Sequence, residues 1–483
     1  MAEYRFSPEF HPLNQEVNKA VVTAADAAGV KVYLVGGYVR DALLKRFSEK
    51  CPPKDFDYAV SHGSAVAFAR DVIAPQLDGH FVMLDEANDT ARVVLHGGIQ
   101  IDFAGCVGGG IQTDIRRRDL TINALVWDPA VPDSVRDDVG GIHDLDSKTI
   151  RAISEHSFIE DPLRLMRVFR FAAVLGFSVE ATTLDNVRNY AGRLSTVAAE
   201  RISYELFAIF ESARTSQCIR AMADCGLLEE IFPEMRQMHR VPPNSYHHLG
   251  LFDHSIEVLK QTELGLKNMP AWVQQTCSEH IAHNVTKYGA TKLAALLHDV
   301  GKPDTWVVAE DGRHTFIGHD KLGAEMTDRI SERLKWPVAV ERFVNLLVRW
   351  HLRPGQLFHQ GLPTDRAVNR FYTSMGDITP QLILLSLGDF RGTCGPGLQE
   401  GRELLENQLR ELLDRYDVFI EGSKKLPPLL DGHELCDELH IPPGPQVGEL
   451  LKALREAQLL AEVRNKAEAV AFIKRLHLEK YSR

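Results

Sequence analysis

The chain has 483 residues, of which 44% are hydrophobic and 25% charged, with a net charge of −11. That length gives a prior of about three domains, and the composition is that of a globular protein. The acidic balance excludes polyanion binding through a global basic field, no apolar run approaches the ~18 residues of a membrane span, and the scattered cysteines, with no Cys-x-x-Cys pair, support neither a disulfide framework nor a thiolate zinc site. The start, Met1-Ala2-Glu3-Tyr4-Arg5, lacks the basic-then-apolar pattern of a secretion signal. A soluble protein of a reducing cytoplasm, with no membrane partner, is the expectation.

The first element is a strand over Val32-Tyr33-Leu34-Val35, four apolar residues in a row. Gly36-Gly37 follows and permits a tight turn and a close backbone approach to a ligand. Val39 to Leu44 reads as a helix whose free N–H groups would face an anion. Asp55 and Asp57 sit two apart in a second apolar stretch ending Tyr58-Ala59-Val60. In a strand that spacing puts both carboxylates on one face. Two hard oxygen ligands on a rigid strand suit Mg²⁺, which completes its shell with phosphates. Val93-Val94-Leu95 and Ile99 to Phe103 read as a hairpin across His96-Gly97-Gly98. Asp102, between Ile101 and Phe103, is costly there unless paired or metal-bound, and is the natural third carboxylate. Two metals held by such a trio would activate a hydroxyl and stabilise a leaving pyrophosphate. Arg118, Asp119, Thr121 and Asn123 then form an Arg-Asp-x-Thr-x-Asn string with charge and hydrogen-bonding groups for a triphosphate and its sugar.

Pro162 fits the first turn of the next helix, with Asp161 near its N-cap. Arg164, Arg167 and Arg170 recur every three residues and share an arc of that helix, while Leu165, Val168, Phe169 and Phe171 supply its buried side. Three arginines on one arc repel unless an anion or acids compensate them. Asp161 and Arg164 carry acceptors and donors that complement the edge of a base. Beyond about residue 150 strand signals fade and helical periodicity takes over. A second cluster, His254, His298-Asp299, His319, His351 and Asp389, mixes imidazole and carboxylate in the manner of a first-row divalent metal site. The tail from Arg455 onward is locally basic and reads as a solvated helix face.

Five strings carry a resemblance: Leu34 to Asp41, Asp55-Phe56-Asp57, Arg117 to Leu125, Gly140 to Leu145 and Glu160 to Arg167. In this order they resemble the class II tRNA nucleotidyltransferases and bacterial poly(A) polymerases. The resemblance implies an α+β, polymerase-β-like nucleotidyltransferase head, a small mixed sheet with helices, followed by all-α neck, HD and tail domains. It implies Mg²⁺ at Asp55 and Asp57 with Asp102 in support, a triphosphate held by Gly36, Gly37, Arg40 and Arg118 beside Asp119 and Asn123, and base reading by Asp161 and Arg164 with Arg167 and Arg170 completing the pocket. Glu200 to Glu205 resembles the neck motif that steadies the base-reading helix. His254, His298, Asp299 and Asp389 resemble the ligand set of the HD phosphohydrolases, with His319 and His351 matching the extra histidines of their phosphodiesterase members; Ni²⁺, Mn²⁺ or Co²⁺ is implied there. The implied partners are a tRNA 3′ end, CTP and ATP. The expected domains are the head (1–150), neck (151–240), HD domain (241–425) and an RNA-contacting helical tail (426–483).

One departure stands out. Only Ala104 to Ile115 separates the third acid from the arginine string, whereas CCA-adding members usually carry a longer flexible loop there. The short segment resembles the CC-adding enzymes, so the sequence leans toward addition of two cytidines, with full CCA addition and A-addition as alternatives. A poly(A) polymerase shares the same strings. An HD phosphohydrolase with a non-catalytic, tRNA-binding head is the remaining rival, and the presence of both Asp55 and Asp57 argues against it.

Overall fold

The computed structural model describes residues 5–48, 51–244, 248–359, 361–393 and 400–481. The chain divides into two compact units, Met1–Arg214 with Cys218–Ile231, and Thr215–Gln217 with Phe232–Arg483.

The first unit opens with α1 (Glu16–Ala28), which ends on Gly29 in the left-handed region, and continues into β1 (Lys31–Val35) and α2 (Gly37–Leu43). Strands β2 (Asp55–His62), β3 (His80–Asp85), β4 (Thr90–Val94), β5 (Gln100–Gly105), β6 (Val126–Trp127) and β7 (Val135–Arg136) complete one seven-stranded sheet of order β3-β4-β5-β2-β1-β6-β7. It is mixed, as expected: β2 and β5 run parallel and the other pairs antiparallel. Alternation decides its two faces. Phe56 and Tyr58 point to one side, where Tyr58 stacks on Phe103 with ring centroids 5.5 Å apart and its hydroxyl donates to Asn18 of α1 at 2.6 Å. On the other side Tyr33, Val35 and Ala59 pack beneath Ile111 and Ile115 of α3 (Ile111–Arg116). That helix covers the Ala59 end of the face, while Asp55, earlier on the same row, is exposed.

The arginine helix is α4 (Arg164–Leu175), closed by Gly176 in the left-handed conformation. Leu165, Met166, Val168 and Phe169 are wholly buried, a burial of ~1.5–3 kcal/mol each before entropy. It packs on α5 (Ala199–Phe210).

In the second unit α6 (Leu251–Gly265), α7 (Lys287–Leu297), α8 (His319–Leu334), α9 (Val338–Trp350) and α10 (Thr379–Thr393) form a helical body. Thr286 caps α7 by accepting from the Gly289 N–H at 3.0 Å. Gly388 lets α10 lie against α6: a Cβ there would fall 2.2 Å from Thr262 Oγ1. A long helix, α11 (Glu400–Lys425), leads to α12 (Gly432–Leu439), α13 (Pro445–Leu459) and α14 (Lys466–Tyr481), which enclose their own core of Leu435, Leu450, Leu454 and Ile473. Among the described residues two two-stranded ribbons lie wholly past residue 150, and a third pairs Thr149–Ile150 with Ser178–Val179, which the helical periodicity did not announce. Among the described residues no helix is long and apolar enough to cross a membrane, and the six described cysteines form no disulfide.

Two candidate active sites

Gly36 ends β1 with φ +71° and ψ −132°, a conformation that only glycine adopts readily. A Cβ there would stand 3.3 Å from Asp57 Oδ2 and 3.5 Å from Arg118 Nη1, so the glycine lets the two side chains meet at the backbone. Asp57 pairs with Val35 of β1 on one side and with Asp102 of parallel β5 on the other. Burial, then the Asp102 charge beside it, pushes the Asp57 carboxyl up to about 6, with Arg118 opposing. A cation among these carboxylates would relieve that crowding, and oxygen donors on a rigid strand fit a hard divalent ion.

A cavity of about 900 Å³ opens over this row. Its wall carries Gly36, Gly37, Arg40, Asp55, Asp57, Arg118, Asp119, Asn123, Arg167 and Arg170, ten of the thirteen residues the sequence picked out for this site. Three lie off its wall. Asp102 is engaged by Arg92, whose Nε and Nη2 donate to its two oxygens at 2.7 and 2.8 Å. Asp161 accepts from Arg201 Nη2 at 2.9 Å, and Arg164 donates to the Ser157 carbonyl at 3.3 Å. Nor does Asp161 cap α4. It lies at the end of a short helix, His156–Glu160, with φ −140° and ψ 98°, because Pro162 drives the residue before it out of the helical region. Helix α4 starts two residues after the proline, and Asp161 accepts from the Leu163 N–H at 3.2 Å.

The arginines of α4 are compensated by acids. Arg167 donates to Asp119 at 2.7 Å, and Arg170 to Glu205 of α5 at 2.5 Å. Asp119 also accepts from Asn123, whose amide oxygen accepts from Arg40 Nη1 at 2.6 Å. Burial alone would raise the Asp119 carboxyl, but the Arg167 guanidinium holds it below its usual range. The Phe171 ring lies 4.9, 5.3 and 4.0 Å from the guanidinium carbons of Arg40, Arg167 and Arg170. Sequence reasoning missed Arg92 and Phe171 as site residues, and it had Arg201 and Glu205 only within the Glu200 to Glu205 string, whose members here pair with Asp161 and Arg170. Arg92 had a signal: it and Asp102 stand equidistant from the hairpin turn and pair directly.

The second site lies in the helical body. His254 is on α6, His298 and Asp299 follow α7, His319 opens α8, His351 follows α9 and Asp389 is on α10. All but Asp389 are buried. The sequence set converges completely: His254, His298 and Asp299, then His298, His351 and Asp389, then Asp299, His319 and His351 each bring three donor atoms within 4.8 Å. The helix contact at Gly388 sets Asp389 Oδ1 3.2 Å from His254 Nε2. Asp299 lies 3.1 Å from His298 Nε2 through one oxygen and 3.2 Å from His319 Nε2 through the other.

The ring orientations are fixed from outside. Nδ1 of His298, His319 and His351 lies 2.9, 2.7 and 2.7 Å from the carbonyls of Ala295, Phe316 and Val348. Donation there leaves each Nε2 as a bare lone pair aimed inward. A ring of lone pairs facing carboxylate oxygens repels unless a cation lies between them, and His298 Nε2 and both Asp299 oxygens lack a well-formed hydrogen bond. With protons as the only cations, burial is outweighed by Asp299 and Asp389, and His298 is pushed up to about 10. Burial would raise Asp299, yet the His298 charge and the Lys302 ammonium, 2.5 Å away, hold it well below its usual range. The donor set fits a first-row divalent metal.

Residues 32–151 match the Poly A polymerase head domain, residues 176–238 the probable RNA and SrmB-binding site of polymerase A, and residues 251–418 the HD domain. An A-adding tRNA nucleotidyltransferase of Deinococcus radiodurans is 36% identical over 92% of this chain and 94% of its own length. A CC-adding tRNA nucleotidyltransferase of Thermus thermophilus is 31% identical over 91% of this chain and 92% of its own. The multifunctional CCA protein of Pasteurella multocida is 30% identical over 76% and 85%. In fold, the chain resembles the Thermotoga maritima CCA-adding enzyme complexed with tRNA, with a TM-score of 0.64, 21% identity and coverage of 99% of this chain and 100% of that one.

Proposed function

The chain belongs to the tRNA nucleotidyltransferase family with an HD domain, and on that premise we propose that it adds nucleotide from ATP or CTP to tRNA 3′ ends at its first site and hydrolyses phosphate esters at its second. The single observation that carries the first half is the shared cavity in which Asp55 and Asp57 face Arg40 and Arg118. Divalent metal at the two carboxylates, Mg²⁺ by their hard oxygens, would supply Lewis-acid stabilisation of the phosphates. Arg40 and Arg118 take triphosphate oxygens in their guanidinium forks. Asn123 and Asp119 keep Arg40 and Arg167 turned to the cavity. Asp161 accepts from an exocyclic base amine and Arg164 donates to the base edge. Head (1–150), neck (151–240), HD domain (241–425) and tail (426–483) divide this work, the tail's part being RNA contact.

The segment behind the third acid bears on how many base types are added. Strand β5 ends at Gly105, and α3 starts at Ile111. Between them lies a short connection without room for the loop of an enzyme that changes base. Addition of one base type fits this, and similarity to the A-adding relative at 36% identity puts the terminal adenosine first, ahead of the two cytidines toward which the sequence leans. Transcripts ending at the discriminator base or in CC, offered ATP or CTP, decide the matter. One adenosine on the CC end is expected. Cytidines on the bare end would establish CC addition instead, and a long adenosine run a poly(A) polymerase.

For the second site, the six converging ligands support a phosphatase or 2′,3′-cyclic phosphodiesterase using Ni²⁺, Mn²⁺ or Co²⁺. A shared Asp299, one oxygen toward each histidine pair, suits two metals. Removing a 3′ blocking phosphate would restore the hydroxyl that the first site extends. Hydrolysis of a 2′,3′-cyclic nucleotide with each metal is the check; no hydrolysis with any of them would overturn this assignment.

A further inference from the structure

Asp102 is the one carboxylate of the head trio held by a guanidinium fork. Arg92 stands opposite it on β4, and Asp57 stands opposite it on β2, so Arg92, Asp102 and Asp57 form one row across three strands. Arg92 donates Nε to Asp102 Oδ1 at 2.7 Å and Nη2 to Oδ2 at 2.8 Å. A carboxylate offers about four lone-pair sites, and a two-pronged fork uses two. The fork therefore fixes the carboxylate plane without exhausting its acceptors. A lysine would keep the charge and lose the plane, because an ammonium is a point charge on a flexible stem.

From this arrangement we propose that Arg92 is a positioning residue of the head's metal centre: its fork holds Asp102 in the row with Asp57, so that the third carboxylate is ordered before a cation binds. The inference rests on the metal assignment to Asp55 and Asp57. Hydrogen-bonded partners of metal ligands commonly contribute 10- to 100-fold in affinity.

The test is Mn²⁺ binding, followed by electron paramagnetic resonance on the full chain carrying His298→Ala and Asp299→Ala, so that only the head reports. Arg92→Lys should weaken Mn²⁺ binding about 10-fold or more, although it keeps the charge. In an Asp102→Asn background the same substitution should change nothing further. Equal or tighter binding in Arg92→Lys would overturn the proposal, as would an undiminished effect in the Asp102→Asn background. Retained Mn²⁺ binding in Asp55→Asn with Asp57→Asn is a different failure, because it removes the metal assignment itself.

Discussion

The two centres crowd carboxylates together in opposite surroundings. The head uses strand alternation to set its acids on the floor of an open cavity of about 900 Å³ and surrounds them with arginines. The second site encloses its acids among histidines, three of which have their outer nitrogens tied to the backbone. The first arrangement suits a hard ion that arrives with phosphates. The second is preformed, with Asp389 partly exposed, and suits a resident transition metal. Affinity for metal should therefore reside in the buried helical centre, and affinity for phosphate in the exposed strand centre.

A double dissociation should separate the two centres. Asp55→Ala with Asp57→Ala should lower nucleotide addition by on the order of 10³-fold and leave transition-metal content, measured by mass spectrometry, unchanged. His298→Ala with Asp299→Ala should empty the purified protein of that metal and leave addition within about two-fold, since the substitutions touch neither cavity nor arginines; loss of addition and metal together in either variant would contradict it.

A stability experiment sharpens the contrast. Asp57 is held near 6 against an ordinary 3.8, so its ionisation opposes folding. Its raised folded value means that the penalty is absent below about pH 3.8, grows between about 4 and 6 and is complete above 6. Asp57→Asn should thus stabilise the metal-free protein at pH 7.5 by up to about 3 kcal/mol while abolishing addition, and the gain should fade toward pH 4. Thermal melts across that range read it directly, and a constant gain at every pH would exclude the crowding argument.

Smaller still is the effect of the helix contact. Gly388→Ala puts a methyl group 2.2 Å from Thr262 Oγ1. Overpacking of this kind costs about 1–3 kcal/mol. It should weaken metal retention by the second centre, through Asp389, with no change in nucleotide addition.

Much of the head was legible because its signals are local. Strand, glycine turn and helix follow one another from Val32 to Leu43, and alternation alone put Asp55 and Asp57 on one face. The hairpin turn at Gly97-Gly98 contained the Arg92–Asp102 pair, though a polar residue outside the motifs drew no attention. The acids that neutralise the arginine helix were harder. Asp119 was in view as a nucleotide ligand and Glu205 as part of the neck motif, but the pairing of Glu205 with Arg170, 35 residues earlier, depends on α4 packing on α5. Asp161 stands two residues ahead of the Leu163 N-cap, close to where the sequence put it, and Pro162 keeps it extended and outside α4. In the second unit the ligands were legible as residue types. What made them a site, backbone carbonyls turning three rings and a glycine setting the α6–α10 distance, depends on packing between helices far apart in sequence.

The two sites are expected to hold separate cations of different kinds. Stripping the protein with a chelator and returning Mg²⁺ alone tests this most directly. Nucleotide addition should recover to near its starting rate while 2′,3′-cyclic nucleotide hydrolysis stays absent until Ni²⁺, Mn²⁺ or Co²⁺ is supplied; recovery of both activities with Mg²⁺, or of neither, would contradict it.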